Sequence, residues 1–110
     1  MAIKILNPAT VSAADTATRI TAGQTNPATR VMALWAQIQA DKDNGNTVYI
    51  GDSTVMNSTT DRGIILSVTD GDAFPAQITL PSTGVPFNLA DIYFSSSVLT
   101  SKVSIIYQSV

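Results

Sequence analysis

"TRVMALWAQIQA", residues 29–40, admits two readings, and the fold follows from the choice between them. Val31, Leu34, Trp35 and Ile38 fall at i, i+3, i+4 and i+7, the stripe of an amphipathic helix, and Met, Ala, Leu and Gln are good helix formers. In the other reading Leu34, Ala36, Ile38 and Ala40 alternate with Trp35, Gln37 and Gln39, as in a strand with one buried face. The context selects the strand. "ADKDNGN", residues 40–46, is turn-rich, and its Asn44-Gly45 pair tolerates positive φ. It leads directly into Val48-Tyr49-Ile50, where the aliphatic residues flank a tyrosine on the opposite face. A hairpin between 29–40 and 48–50 needs no long connection.

Downstream, short apolar runs alternate with turns. Ile64 to Val68 is a strand candidate, opened by Arg62-Gly63 and closed by Asp70-Gly71-Asp72. Gln77 to Leu80 is another, bounded by Pro75 and Pro81. "DIYFSS" (91–96) and "KVSIIYQS" (102–109) form the clearest pair, joined through Ser97 to Ser101. Upstream, Ile3, Ile5 and Leu6 suit a short edge strand and Thr16 to Thr21 a second. Residues 1–28, rich in Ala and Thr and broken at Pro8 and Pro27, read either as a partly ordered leader or as an arm lying on a neighbouring subunit. Short strands at spacings of about ten residues indicate an all-β, single-domain antiparallel β-sandwich, jelly-roll-like, over 29–110, with 1–28 as an extended arm or edge strands.

The chemistry is bounded by what the chain lacks. It has 110 residues and neither histidine nor cysteine. Gly51-Asp52-Ser53 matches the tripeptide that opens the nucleophile block of the GDSL hydrolases, but a serine nucleophile needs a neighbouring base and no imidazole exists to supply one. The lysines, Lys4, Lys42 and Lys102, stand in no S-x-x-K arrangement. The tripeptide therefore reads as a strand end followed by a turn, and no catalytic residue is assigned. Imidazole- and thiolate-built metal sites and disulfides are excluded by the same absence. "DKDNGNTVYIGD", residues 41–52, resembles a calcium loop with Asp41 at position 1 and Asp43 at position 3. Gly45 then falls where a ligand belongs and Asn46 where glycine is needed, so neither this loop nor Asp70-Gly71-Asp72 is assigned a metal. No cofactor is expected.

Charged residues are only 13% of the chain, against about a quarter in typical soluble domains, while 45% is hydrophobic. A surface so poor in charge is weakly protected against association, so much of it is expected to face other protein. A net charge of −2 gives no basic footprint for nucleic acid or an anionic membrane. The opening "MAIKILNPAT" is too short for a signal-peptide core, and no stretch approaches transmembrane length. Trp35, the single tryptophan, suits either a core position or a binding anchor. Tyr49 and Tyr93, opposite their strands' aliphatic residues, suit a subunit contact. With Ile3, Ile5 and Leu6 of the arm, these are the candidate contact residues.

From about Arg19 onward the chain resembles small virion-associated proteins encoded in the structural modules of tailed bacteriophages. The resemblance rests on Ala40 with Asn44-x-x-Thr47-Val48-Tyr49-Ile50-Gly51-Asp52-Ser53-Thr54-Val55, then Gly63-Ile64-Ile65-Leu66, then Leu89-Ala90-Asp91-Ile92-Tyr93-Phe94, then Lys102-Val103-Ser104-Ile105-Ile106-Tyr107, in that order. It implies a β-rich structural component of a phage particle. The expected role is a capsid decoration or cement protein, assembled in the host cytoplasm onto the virion surface. Its expected partners are the major capsid protein and further copies of itself, in a small oligomer such as a trimer. A tail, neck or fibre-attachment protein and a carbohydrate-binding module for host adsorption are the alternatives.

Overall fold

The computed structural model describes residues 2–6, 8–11, 13–24, 30–41, 47–55, 63–67 and 76–110. Its strands are β1 (Ile3–Ile5), β2 (Thr18–Arg19), β3 (Met32–Ala40), β4 (Val48–Gly51), β5 (Ile64–Leu66), β6 (Gln77–Leu80), β7 (Phe87–Asn88), β8 (Tyr93–Ser95) and β9 (Val103–Ser109). The only helical element among the described residues is a single 3₁₀ turn, Leu89–Asp91. The strands form two antiparallel sheets. One runs β1-β9-β3-β6, with β7 pairing β3 beside β6; the other runs β2-β8-β4-β5. The protein is an all-β sandwich, and the 29–40 stretch is strand from Met32 to Ala40.

β3 is the spine. It pairs β9 from Ala33↔Ser109 to Ala40↔Val103 and β6 from Ala36↔Leu80 to Gln39↔Gln77. The register slips between Ala33 and Trp35, leaving Leu34 as a bulge. A bulge changes the phase of the side chains. Ala33 faces inward before it, and Ala36, Ile38 and Ala40 face inward after it, all fully buried. The simple alternation that sends Leu34 inward therefore fails at that residue. Trp35, Gln37 and Gln39 are turned to the outer face and half-buried.

The core lies between the sheets. Ile38, Val103, Ile105 and Tyr107 of the first sheet meet Val48, Ile50, Leu66 and Phe94 of the second. Burial of side chains of this size stabilises by about 1.5–3 kcal/mol each before chain entropy is set against it. Leu6, Ala9, Val11 and Ile20 belong to the same buried cluster. The N-terminal segment thus supplies both β1, an edge strand of one sheet, and β2, an edge strand of the other, and buries side chains of its own in the core between them.

Two expected hairpins do not form. β3 and β4 lie in different sheets, and so do β8 and β9. Each pair is adjacent in sequence, which favours pairing, but each strand finds a longer or better-covered partner elsewhere. β9 matches β3 over seven residue pairs, whereas β8 has only three strand residues and lies between β2 and β4. The chain from β8 to β9 instead crosses between sheets as an arch. There the Ser96 and Ser101 hydroxyls meet at 3.0 Å, both fully buried, and the Ser96 Oγ accepts from Val98 N at 3.3 Å. A loop that passes from one sheet to the other through the interior must satisfy its polar groups locally, and the serines do so. The last part of the 64–68 strand candidate, Val68, and the Asp70-Gly71-Asp72 turn lie outside the described residues, as do Asp43 and the 42–46 turn.

Candidate functional site

Three features of the surface bear on function. The first is the outer face of the β1-β9-β3-β6 sheet. Its rows are read off the register: Ile3 and Ile5 on β1, Gln108, Ile106 and Ser104 on β9, Trp35, Gln37 and Gln39 on β3, and Thr79 and Gln77 on β6. Among the described residues of these strands this face has no charged side chain. Ile5 is 81% exposed and Ile3 55%. The carboxamides are partly engaged with each other, with Gln39 Nε2 donating to Gln77 Oε1 at 3.4 Å and Gln37 Nε2 to Thr79 Oγ1 at 3.5 Å. Ile5, Gln37, Gln39 and Ile106 border a shallow hollow of ≈ 250 Å³.

The second is the outer face of the β2-β8-β4-β5 sheet. Tyr49 and Tyr93 both lie on it, half-buried, in register with Ser95 and Gly51 respectively. The Arg19 guanidinium sits over the Tyr93 ring, 5.4 Å from its centroid, and donates to the Ala90 carbonyl at 3.3 Å. This arrangement fixes Tyr93 and leaves its ring covered on one side. Beside Tyr49, Ser95 is fully buried, and its hydroxyl has no hydrogen-bond partner among the described residues.

The third is a cleft between the sheets on the side of β5 and β6, ≈ 320 Å³ in volume. Ile38, Ile78 and Leu80 form one wall, Ile50 and Ile64 the other, and Asp52 and Asp91 also line it. The Asp52 side chain is held by the turn that ends β4: its Oδ1 accepts from Thr54 Oγ1 at 2.6 Å and Thr54 N at 2.9 Å, and Val55 N donates to the Asp52 carbonyl at 3.0 Å. The Thr54 hydroxyl, followed by the Thr54 amide, holds the Asp52 carboxyl below its ordinary pKa, because both bonds favour the ionised form. Ser53 is exposed in this turn. Gly51-Asp52-Ser53 is thus a strand end and a turn capped by its own aspartate.

The sequence-derived contact residues divide among these features. Ile3, Ile5 and Trp35 are brought onto one face, Tyr49 and Tyr93 onto the opposite one. Leu6 is 1% exposed, its backbone N–H bonded to the Ile105 carbonyl at 3.0 Å, so it packs in the chain's own core rather than at the surface. Ile106, Gln37, Gln39 and Gln108 were missed. Their signal is present in the sequence: each is out of phase with the buried row of its strand, and an apolar residue in that phase, as at Ile106, marks a face that meets something other than water.

Among the described residues no group of three or more acidic or other metal-ligating side chains comes together. Asp41 pairs instead with Lys102 at 3.9 Å. No helix in that set is long and apolar enough to cross a membrane. No family model, curated protein or solved structure matches the chain.

Proposed function

We propose that this chain is a structural protein of a tailed-phage particle, decorating the capsid and stabilising it by lying across neighbouring capsid subunits with the outer face of its five-stranded sheet against the shell. The observation that carries the reading is that face: a broad, uncharged surface of isoleucine, tryptophan and carboxamide side chains on a chain with few charges anywhere. Covering it removes apolar area from water without stripping water from any ion. The carboxamides both donate and accept, so they can satisfy backbone or side-chain groups of a partner. Trp35, at the centre strand of the sheet, is the natural anchor, since interface energy concentrates in a few large aromatic side chains. Repeated attachment of several copies to a repeating shell turns modest single contacts into tight binding.

The resemblance of the strand order to virion-associated proteins supports the same reading. The test is to mix the purified chain with undecorated heads and count bound copies. Saturable binding at regular positions is expected, weakened by about tenfold or more in Trp35→Ala and in Ile106→Asp. No binding at any maturation stage, or unchanged binding in both variants, overturns the proposal. Labelling found on the tail or neck would assign the same face to a different structural partner.

A further inference from the structure

Among the described residues the sheet that presents the uncharged face has two open edges, and they are complementary. At one end Ser109 N donates to the Ala2 carbonyl at 2.8 Å and Leu6 N to the Ile105 carbonyl at 3.0 Å. By antiparallel alternation, the backbone groups of Ala2, Lys4 and Leu6 face β9, and those of Ile3 and Ile5 point away from it. At the other end Ala40 N donates to the Ala76 carbonyl at 3.1 Å, so Ala76, Ile78 and Leu80 face β3 while Gln77 and Thr79 point away. Among the described residues no strand pairs with the far side of β1 or of β6. Each end therefore offers the N–H and C=O of two alternate residues.

We propose that β1 of one copy adds antiparallel to β6 of a second copy, Ile3 opposite Thr79 and Ile5 opposite Gln77, so that the sheet runs on from one molecule to the next. This register places Lys4 opposite Ile78. Paired residues share a face, and Ile78, paired with Ile38, faces inward. Lys4 then lies at the mouth of the second copy's cleft, whose lining includes Asp52 and Asp91. The isoleucines Ile3 and Ile5 fall on the outer side, next to Gln77 and Thr79, and the uncharged face continues across the junction.

The charges choose the pairing. A lysine in the middle of an edge strand normally blocks that edge, because an incoming strand would cover it without a counter-ion. Two β1 strands meeting would set Lys4 against Lys4. Only an edge beside carboxylates relieves the block, and β6 is such an edge. The pairing is head-to-tail, so it propagates into a ring or a chain of copies. It deepens the assembly reading by naming a second copy and its contact. Because its test involves no shell, the two proposals fail separately: a chain that binds heads through Trp35 but never pairs sinks only this one.

The test is sedimentation velocity of the intact chain over a wide concentration range. Concentration-dependent association is expected. Lys4→Glu, which sets an anion against two carboxylates, should weaken it by about tenfold or more, as should Asp91→Lys. Mixing those two variants should restore association, since the introduced glutamate then meets the introduced lysine at one junction and the native Lys4 meets the native Asp91 at the next. Thr79→Pro removes an outward N–H without breaking a backbone bond to β3, giving up only the long Gln37 Nε2 contact to the Thr79 hydroxyl, and should abolish association while circular dichroism stays unchanged. A chain that remains monomeric at its highest soluble concentration, association indifferent to these variants, or a mixture that stays dissociated would overturn the proposal.

Discussion

Among the described residues two glycines adopt positive φ, and replacing each with alanine separates backbone strain from crowding. Gly84 has φ +84 and nothing within 4 Å of where a Cβ would stand. Gly63 has φ +63, and its Cβ would stand 2.1 Å from the Ile50 carbonyl oxygen. For Gly84→Ala the left-handed conformation costs about 1–2 kcal/mol, offset by about 0.4–1 kcal/mol from the reduced freedom of the unfolded chain. The net loss is about 1 kcal/mol. Gly63→Ala incurs the same strain, and in addition the methyl group or Ile50 must move by roughly 1.3 Å or more to reach ordinary contact. Ile50 pairs with Ile64, the first of only three residues in β5. So short a strand cannot absorb the shift, and its release exposes Leu66, which is 2% exposed at present and worth about 1.5–3 kcal/mol of burial. The expected loss for Gly63→Ala is about 3 kcal/mol, roughly three times that for Gly84→Ala. Urea titration followed by the fluorescence of Trp35, the single tryptophan, measures both. Equal losses in the two variants would refute the reasoning, because the backbone strain is common and only the clash differs.

Three further outcomes follow from the core and the Asp52 turn. Phe94→Ala removes the largest fully buried side chain among the described residues and should cost about 3–5 kcal/mol in the same titration; a loss under about 1 kcal/mol would mean that the two sheets do not meet there. Ser95→Ala should leave stability unchanged or raise it by about 1 kcal/mol, since a buried hydroxyl without a partner among the described residues is replaced by a methyl group, and a clear loss would show that the hydroxyl is bonded. The folded-state pKa of Asp52 is depressed, so the turn's contribution is complete above the ordinary aspartate value and is lost as pH falls through the lower, folded value. Carbon NMR titration of the Asp52 carboxyl should place it below the ordinary value in the native chain and return it toward that value in Thr54→Val; an unchanged titration in the variant would remove Thr54 as the cause.

The strands were legible because burial on one face imposes a period of two, which β9 displays from Val103 to Tyr107 and β4 from Val48 to Gly51. Composition likewise set the chemistry available: a chain without imidazole or thiol has few ways to activate a nucleophile, and a chain with few charges has much neutral surface. Pairing was not legible. Proximity in sequence suggested that 29–40 would fold onto 48–50 and 91–96 onto 102–109, but which sheet a strand joins depends on which partner matches its length and covers its inner face. That is a property of all the strands at once. The same holds for Trp35 and Leu6. One extra residue at Leu34 shifts the phase of β3, so that Ala33 and Ala36 both face inward with Trp35 outward between them, and Leu6 continues the alternation of β1 onto the inner side because the second sheet lies there. Local pattern fixes which residues alternate; only the assembled sandwich decides which side of each strand is inside, because inside exists only once the second sheet is in place.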